Sequence, residues 1–132
     1  MATQDLDEAT FREHVQGEGI LLVDFWASWC GPCRMFAPIF EKVSEAHEDV
    51  VFGKVDTDAQ QALAGGMGIR SIPTLMLFRD GVLLMNQAGV VPEEALHDIL
   101  AKAKELDMEQ VKKEIAEAEA EGEGEGEGEA KA

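Results

Sequence analysis

The sequence predicts an α/β fold in which helices flank a central mixed sheet of four to five strands. Apolar runs of strand length alternate with patterns of helical spacing along much of the chain. Two later apolar runs are joined by Asp80 and Gly81, a pair typical of an antiparallel hairpin. The chain has 132 residues, 45% of them hydrophobic, which suffices for one ordinary core.

The first half of the chain alternates helix and strand. Phe11 and Val15 stand four positions apart among polar residues, which predicts a short surface helix. The near-continuous apolar run GILLVDFWA predicts a strand that is buried on both faces. A helical pattern follows, in which Pro38 predicts a kink. The apolar positions of that pattern are Phe36, Ile39, Phe40 and Val43.

The second half continues the alternation and closes it with a hairpin. VVFGKVD predicts a second strand, and DAQQALAGG predicts a short helix with Asp58 and Gln61 at capping-box spacing. TLMLFRDGVLLMNQ predicts the hairpin, and a further helix is expected to begin at Pro92. The predicted order is helix, strand, helix, strand, helix, hairpin and helix.

The composition changes after Leu106, so we expect one domain over residues 1–106 and an acidic extension over 107–132. The domain holds 8 Lys and Arg against 17 Asp and Glu, and the extension holds 3 against 10. Residues 107–120 can form a helix, whereas the glycine–glutamate tail has too little apolar surface and is expected to be disordered. A solubilising role is favoured over the alternative, a partner-binding helix with an acidic leash.

Charge and composition exclude several function classes. A net charge of −16 opposes binding to nucleic acid or to an anionic membrane surface. No apolar run is long enough to cross a bilayer, and the first residues lack the pattern of a signal peptide. Two cysteines are too few for a disulfide-stapled secreted scaffold. We therefore expect a cytoplasmic protein with neither nucleic-acid nor membrane partners.

The two cysteines, Cys30 and Cys33, fit half of a metal site, a structural staple or a reversible redox pair. A structural zinc site needs four ligands, and His14, His47 and His97 are predicted to sit apart on three helices as surface residues. A staple would close only a very short loop and would add little stability. The redox interpretation also explains the neighbouring residues, and no metal is expected.

Cys30 follows a buried strand and precedes a helix. The unsatisfied N–H groups and the dipole of a helix N-terminus favour a thiolate at this position. Gly31 and Pro32 supply a tight, rigid turn, so Cys33 is positioned to attack a mixed disulfide on Cys30. We expect Cys30 to be the exposed nucleophile and Cys33 the buried resolving thiol.

The motif WCGPC within LLVDFWASWCGPCRMFAP, followed by GIRSIPTLMLFRDG, resembles the thioredoxin family over about residues 5–105. The resemblance implies a thioredoxin fold and thiol–disulfide exchange. Two features depart from the family pattern: the first strand is poorly marked in ATQDLD, and Arg34 stands where lysine is common.

Asp24 lies in the middle of the buried strand run, where an uncompensated carboxylate is costly. It either reaches solvent at a strand edge or lies buried beneath the active-site turn, and the apolar run favours burial. Burial would raise its pKa and let it exchange a proton with Cys33 through water. The resemblance implies that role, and it also implies that Lys54 lies near this carboxylate. Lys54 is otherwise an ordinary solubilising residue on a strand.

The segment RSIPT raises a similar choice, because Pro73 either simply opens a strand or belongs to the site. The resemblance implies a cis bond between Ile72 and Pro73, packed against the two sulfurs, that presents backbone to a substrate and keeps metal ions off the thiols. The resemblance also implies that Trp26 packs behind the site; the alternative is that Trp26 is simply a core aromatic residue. The implied groove for a substrate's cysteine segment comprises Trp29, Gly31, Pro32, Ile72, Pro73, Ala88 and Gly89.

Residues and resemblance together predict a monomeric protein-disulfide reductase with no bound cofactor. Its electrons are expected from a flavin- and NADPH-dependent thioredoxin reductase, and its substrates are disulfide-containing proteins. Two alternatives remain. The first is a protein disulfide oxidant or isomerase, and the second is a non-enzymatic binding or chaperone-like subunit.

Overall fold

The computed structural model describes residues 2–129, with side chains as far as residue 122. Within that range one five-stranded sheet has the order β1-β3-β2-β4-β5, with helices packed on both faces. The predicted order of helices and strands is present, with a short strand before it and a further helix after it. The elements are β1 (Thr3–Asp5), α1 (Glu8–Gln16), β2 (Ile20–Trp26), α2 (Gly31–Ala46), β3 (Val50–Asp56), α3 (Gln61–Gly66), β4 (Thr74–Arg79), β5 (Val82–Ala88), α4 (Glu93–Glu105) and α5 (Met108–Glu129).

The sheet is mixed, as predicted. The central strand β2 runs parallel to β3 along its whole length and antiparallel to β4 on its other side. The poorly marked first strand is present but short, since β1 spans only three residues beside β3. The β4–β5 hairpin turns at Asp80 and Gly81, whose φ angles of 51° and 84° are the positive values that a primed turn requires.

Successive residues of β2 point to opposite faces of the sheet. Leu21, Val23 and Phe25 pack on one face with Phe11 of α1. On the other face a larger core packs α2 and α4 against Ile20 and Leu22. Asp24 shares the parity of the second group and so points toward the face that α2 covers.

One helix start differs from the prediction. Asp58 does not cap α3, because α3 begins at Gln61 after Gln60, and its N-cap has no side-chain hydrogen bond. The amide of Gln61 instead donates to the carbonyl oxygen of Asp58 over 3.2 Å. The Asp58 carboxylate is engaged elsewhere, at the candidate site.

The extension begins after the C-terminal end of α4, where the Arg79 side chain donates hydrogen bonds to the last carbonyl oxygens of that helix. Arg79 Nη1 donates to the carbonyl oxygens of Ala103, Lys104 and Leu106, the groups that a helix C-terminus leaves unsatisfied. The following helix, α5, continues past the predicted 107–120 segment into the glycine–glutamate repeat. Extending an existing helix costs less than nucleating one, which accounts for the longer helix. Residues 130–132 of the expected disordered tail lie outside the described residues.

Within residues 2–129, no helix is both long enough and apolar enough to cross a membrane.

Candidate functional site

The two cysteines form a disulfide at the start of α2. Cys30 is the N-cap residue of that helix, and its Cα atom lies 5.2 Å from that of Cys33. The backbone N–H of Cys33 donates to Cys30 Sγ over 3.2 Å. Pro32 occupies the first turn, where a missing N–H costs nothing. The helix N-terminus therefore faces Cys30 Sγ and favours negative charge on it.

The expected contrast in exposure between the two cysteines is wrong for this oxidised state. Cys30 is 5% exposed and Cys33 is 2% exposed, so both are buried. The disulfide holds the two sulfurs together in a small apolar cluster with Ala27, against which Trp26 and Ile72 pack. The position at the helix N-terminus, and not exposure, distinguishes Cys30 from Cys33.

Asp24 is fully buried in the centre of β2, as the apolar run predicts. Neither carboxylate oxygen has a hydrogen-bond partner among the described residues. Burial raises the pKa of Asp24 to about 7, although the nearby charge of Lys54 opposes the rise. A carboxylate with this pKa exchanges a proton readily near neutral pH.

Lys54 pairs with Asp24 in the register of β2 and β3, so the two side chains share one face of the sheet. Its Nζ lies 4.8 Å from the centroid of the Trp26 ring, within the range of a cation–π contact. The buried Nε1 of Trp26 has no hydrogen-bond partner among the described residues. Lys54 therefore contacts the tryptophan ring from the same face of the sheet as the buried carboxylate.

The Ile72–Pro73 peptide bond is cis, as the resemblance implies. The carbonyl oxygen of Ile72 lies 3.7 Å from Cys30 Sγ. The backbone N–H of Gly89 donates to the carbonyl oxygen of Pro73 over 2.8 Å, and Ala88 pairs with the following residue, Thr74. These contacts bring the two predicted groove segments together beside the disulfide, while Gly31 and Pro32 are exposed at the helix start.

The sequence analysis missed Asp58 as a site residue. Trp29 is 66% exposed, and its Nε1 donates to Asp58 Oδ2 over 2.9 Å. The backbone N–H of Asp58 in turn donates to Asp56 Oδ1 over 2.9 Å, so Asp58 is itself held in place. The segment DTDA, directly after a strand, is the only sequence signal for this turn. Beside Trp29 lies a cleft of about 190 Å³ lined by Trp29, Thr57, Ala64, Ile69, Arg70, Ser71 and Ile72.

Among the described residues, no three His, Cys, Asp or Glu side chains are grouped to hold a metal ion. The prediction that the three histidines sit apart is wrong for two of them. His47 Nε2 lies 2.8 Å from His97 Nδ1, because packing of α2 on α4 brings together residues that are distant in sequence.

Comparison with known proteins supports the fold and the chemistry together. Residues 2–102 match the family model described as Thioredoxin. A thioredoxin-type protein of Streptomyces coelicolor is 49% identical over 116 residues, covering 88% of this chain and 87% of its own length. The thioredoxin of Alicyclobacillus acidocaldarius is 46% identical, covering 76% of this chain and 96% of its own length. The Malassezia sympodialis thioredoxin structure matches with a TM-score of 0.68 and 35% identity, over 76% of this chain and 90% of that chain.

Proposed function

The chain belongs to the thioredoxin family, and on that premise we propose how its cysteine pair reduces protein disulfides. The protein is a thiol–disulfide oxidoreductase of the protein-disulfide-reductase type, and its chemistry needs no bound cofactor. The single observation that carries the proposed roles is the Cys30–Cys33 disulfide at the N-terminus of α2. The predicted fold class and reductase activity are confirmed.

Cys30 is the nucleophile in this proposal. In the reduced protein its thiolate attacks one sulfur of a substrate disulfide, and a Cys30–substrate disulfide forms as the substrate S–S bond breaks. The departing substrate thiolate takes a proton from water. The hydrogen bond from the Cys33 N–H and the helix dipole stabilise the attacking thiolate.

Cys33 resolves the mixed disulfide. It passes its proton toward Asp24, through water, and attacks Cys30 Sγ; the Cys30–Cys33 disulfide forms and the second substrate thiolate leaves and is protonated. Two electrons pass from the cysteine pair to the substrate. The burial of Asp24 and its pKa of about 7 support this role, because close to half of its population is ionised at neutral pH. Lys54 tunes that pKa downward.

The substrate's cysteine segment lies in an apolar groove beside the disulfide. The proposal is supported by the exposure of Trp29 and by the nearness of the Ile72 carbonyl oxygen to Cys30 Sγ. Ile72, which precedes the cis proline, is half-buried, and its backbone can pair with the main chain of an extended substrate segment. The proposed groove residues are Trp29, Gly31, Pro32, Ile72, Pro73, Ala88 and Gly89, with Trp26 packed behind them.

Disulfide proteins and a reductase are the partners that the family implies in general. We propose that the reductase is a flavin enzyme that uses NADPH, that the protein acts as a monomer, and that it works in the cytoplasm. We also propose that residues 1–106 form the catalytic domain and that 107–132 are an accessory extension. The net charge of −16 disfavours a nucleic-acid partner.

Reduction of insulin disulfides by dithiothreitol tests the assigned roles. Cys30→Ser should lose at least about a thousandfold in rate, because the nucleophile is gone. Cys33→Ser should instead accumulate a Cys30-linked mixed disulfide, detectable by mass spectrometry, because nothing resolves it. Trapping through Cys33 in Cys30→Ser, with none through Cys30, would reverse the assignment. If the wild type showed no reductase activity and the variant with both cysteines changed to serine kept full partner binding, the binding role would be favoured.

A further inference from the structure

A hydrogen-bonded cluster joins the C-terminal end of α2 to α4, about 24 Å along the helix from Cys30. His47 is the C-cap residue of α2, and its Nε2 lies 2.8 Å from His97 Nδ1 on α4. Lys104, two turns further along α4, places Nζ 2.9 Å from His47 Nδ1. His97 Nε2 lies 3.6 Å from Glu93 Oε2, one turn earlier on α4.

These contacts fix the proton on each ring. An ammonium group only donates, so His47 Nδ1 must accept from Lys104 and cannot carry a proton. The ring is then neutral with its proton on Nε2, which donates to His97 Nδ1. His97 is therefore also neutral, with its proton on the Nε2 that faces Glu93. The donors and acceptors form one directed chain from α4 to α2 and back to α4.

Protonation of either ring breaks a link in this chain. A proton on His47 Nδ1 would face the Lys104 ammonium, and a proton on His97 Nδ1 would face the N–H of His47. Burial is the main cause that lowers the pKa of His47, and the charge of Lys104 adds to it, while Asp49 opposes them. The other groups about the pair, besides Lys104, are Glu93, Lys42 at 3.0 Å from Glu93 Oε1, and Asp49 at 3.0 Å from Lys104 Nζ.

We propose that His47 and His97 form a pH-sensitive latch between α2 and α4, closed while His47 Nδ1 accepts from Lys104 and opened when that nitrogen gains a proton. The apolar core beneath still holds the two helices together, through Phe40 and Val43 of α2 and Leu100 of α4. Opening the latch therefore lowers stability and leaves the cysteine site in place. The latch stands apart from the proposed reaction, which uses neither histidine.

The sign of the effect follows from the lowered pKa of His47. The unfolded chain binds a proton near the ordinary histidine value of about 6.5, and the folded protein binds it only at lower pH. The latch contributes its full stability above that value and loses it as pH falls toward the folded pKa. Asp24 acts oppositely near pH 7, so its contribution must be cancelled by comparing variants at each pH.

Urea unfolding of the oxidised full chain at pH 7.5 and pH 5.5 tests the latch. The double variant His47→Gln with His97→Gln has no proton to gain there. The unfolding midpoint of the wild type minus that of the double variant should be smaller at pH 5.5 than at pH 7.5, because the contribution of Asp24 is common to both proteins. His14→Gln, on α1, is the matched control and should follow the wild type. An equal or larger loss in the double variant would overturn the proposal.

Nuclear magnetic resonance of the wild type tests the latch even where the double variant fails to fold. Long-range proton–nitrogen spectra at pH 7.5 should show both rings protonated at Nε2 alone, and His47 should titrate below about 6.5. Lys104→Met removes a charge that lowers the pKa of His47, so its titration should move upward. A proton on either Nδ1, or no movement in Lys104→Met, contradicts the assignment.

Discussion

Titratable groups on the strand before α2 and at the C-terminal end of α2 are in opposite situations. Asp24, on the strand β2 that leads into α2, is fully buried and has no hydrogen-bond partner among the described residues, and burial raises its pKa to about 7. At the C-terminal end, both ring nitrogens of His47 have partners, and its pKa is lowered. Burial favours the neutral form in both cases, and the neutral form is the acid for one group and the base for the other.

On our two proposals, this difference separates a group that takes part in the reaction from a group that holds helices together. A buried carboxylate without partners destabilises the folded protein once it ionises, so its presence calls for a chemical reason. A histidine pair in which three of the four ring nitrogens have hydrogen-bond partners stabilises the contact between α2 and α4. The same physical cause thus supports proton transfer in one region and a latch in the other.

The largest expected effect comes from Asp24→Asn, which replaces the buried carboxyl group with an amide that cannot ionise. Between the ordinary pKa of 3.8 and the folded value of about 7, the folded wild type holds a proton that the unfolded chain has released, so its stability falls as pH rises. The variant escapes this loss. It should be more stable than the wild type by as much as about 4 kcal/mol at pH 8, and about equal at pH 4. Urea unfolding at both values measures this.

Asp5→Asn is the matched control for that experiment, because Asp5 is an exposed carboxylate on β1. It should show no comparable gain at pH 8. If Asp24→Asn gains no more stability at pH 8 than this control does, Asp24 is not held in a raised-pKa state.

Lys54→Met sharpens the comparison by removing the one charge that opposes burial at Asp24. The pKa of Asp24 should rise further, because a nearby positive charge favours the carboxylate. The methionine keeps an aliphatic contact with Trp26. Carbon-detected titration of the Asp24 carboxyl group measures the shift. An unchanged midpoint would remove Lys54 from the site.

Asp58→Ala tests the surface beside the disulfide, where a hydrogen bond from Trp29 to Asp58 orients the exposed tryptophan ring. Loss of the bond to Trp29 Nε1 should raise KM for insulin by about two- to tenfold, with a smaller change in kcat, because we propose that the ring contacts substrate without reacting. Asp58→Asn keeps an acceptor oxygen and should stay near wild type. Equal kinetics for Asp58→Ala and wild type would show that this hydrogen bond does not position the groove.

The smallest effect is expected from deleting residues 107–132, which belong to neither of the two compared regions. Apart from Met108 and Val111, the described side chains of the extension are exposed, so kinetics with insulin should stay within about twofold of wild type. Steady-state reduction assays with insulin and with a reductase measure this. A large loss toward any one partner would support the partner-binding alternative for the extension.

The sequence predicted the features that local patterns determine. The apolar run around Asp24 predicted both the strand and the buried carboxylate, and the spacing of Cys30 and Cys33 predicted the redox pair. The hairpin at Asp80 and Gly81 was equally local. In each case the evidence lay within a few neighbouring residues.

Side-chain contacts between distant segments could not be predicted. Asp58 was interpreted as a helix cap, because spacing does not reveal that a tryptophan far back in the chain takes its carboxylate. The contact between His47 and His97 depends on how two helices pack, whereas periodicity indicates only which face of each is buried. Both contacts join polar atoms of segments distant in sequence, and hydrophobic patterns carry no information about such pairs.

The central claim is that Asp24 accepts the proton of Cys33 when Cys33 attacks the mixed disulfide. The most direct test measures the rate of that step alone. Reduced protein reacting with dithiobis(nitrobenzoate) should release thionitrobenzoate in two phases, the first from attack by Cys30 and the second from attack by Cys33; Cys33→Ser should show only the first. In the wild type, the rate of the second phase should rise with pH through about 7, as Asp24 ionises. Asp24→Asn should slow that phase by about 10- to 100-fold at pH 7 and abolish the inflection. An unchanged second phase in Asp24→Asn would contradict the role of Asp24 as the proton acceptor.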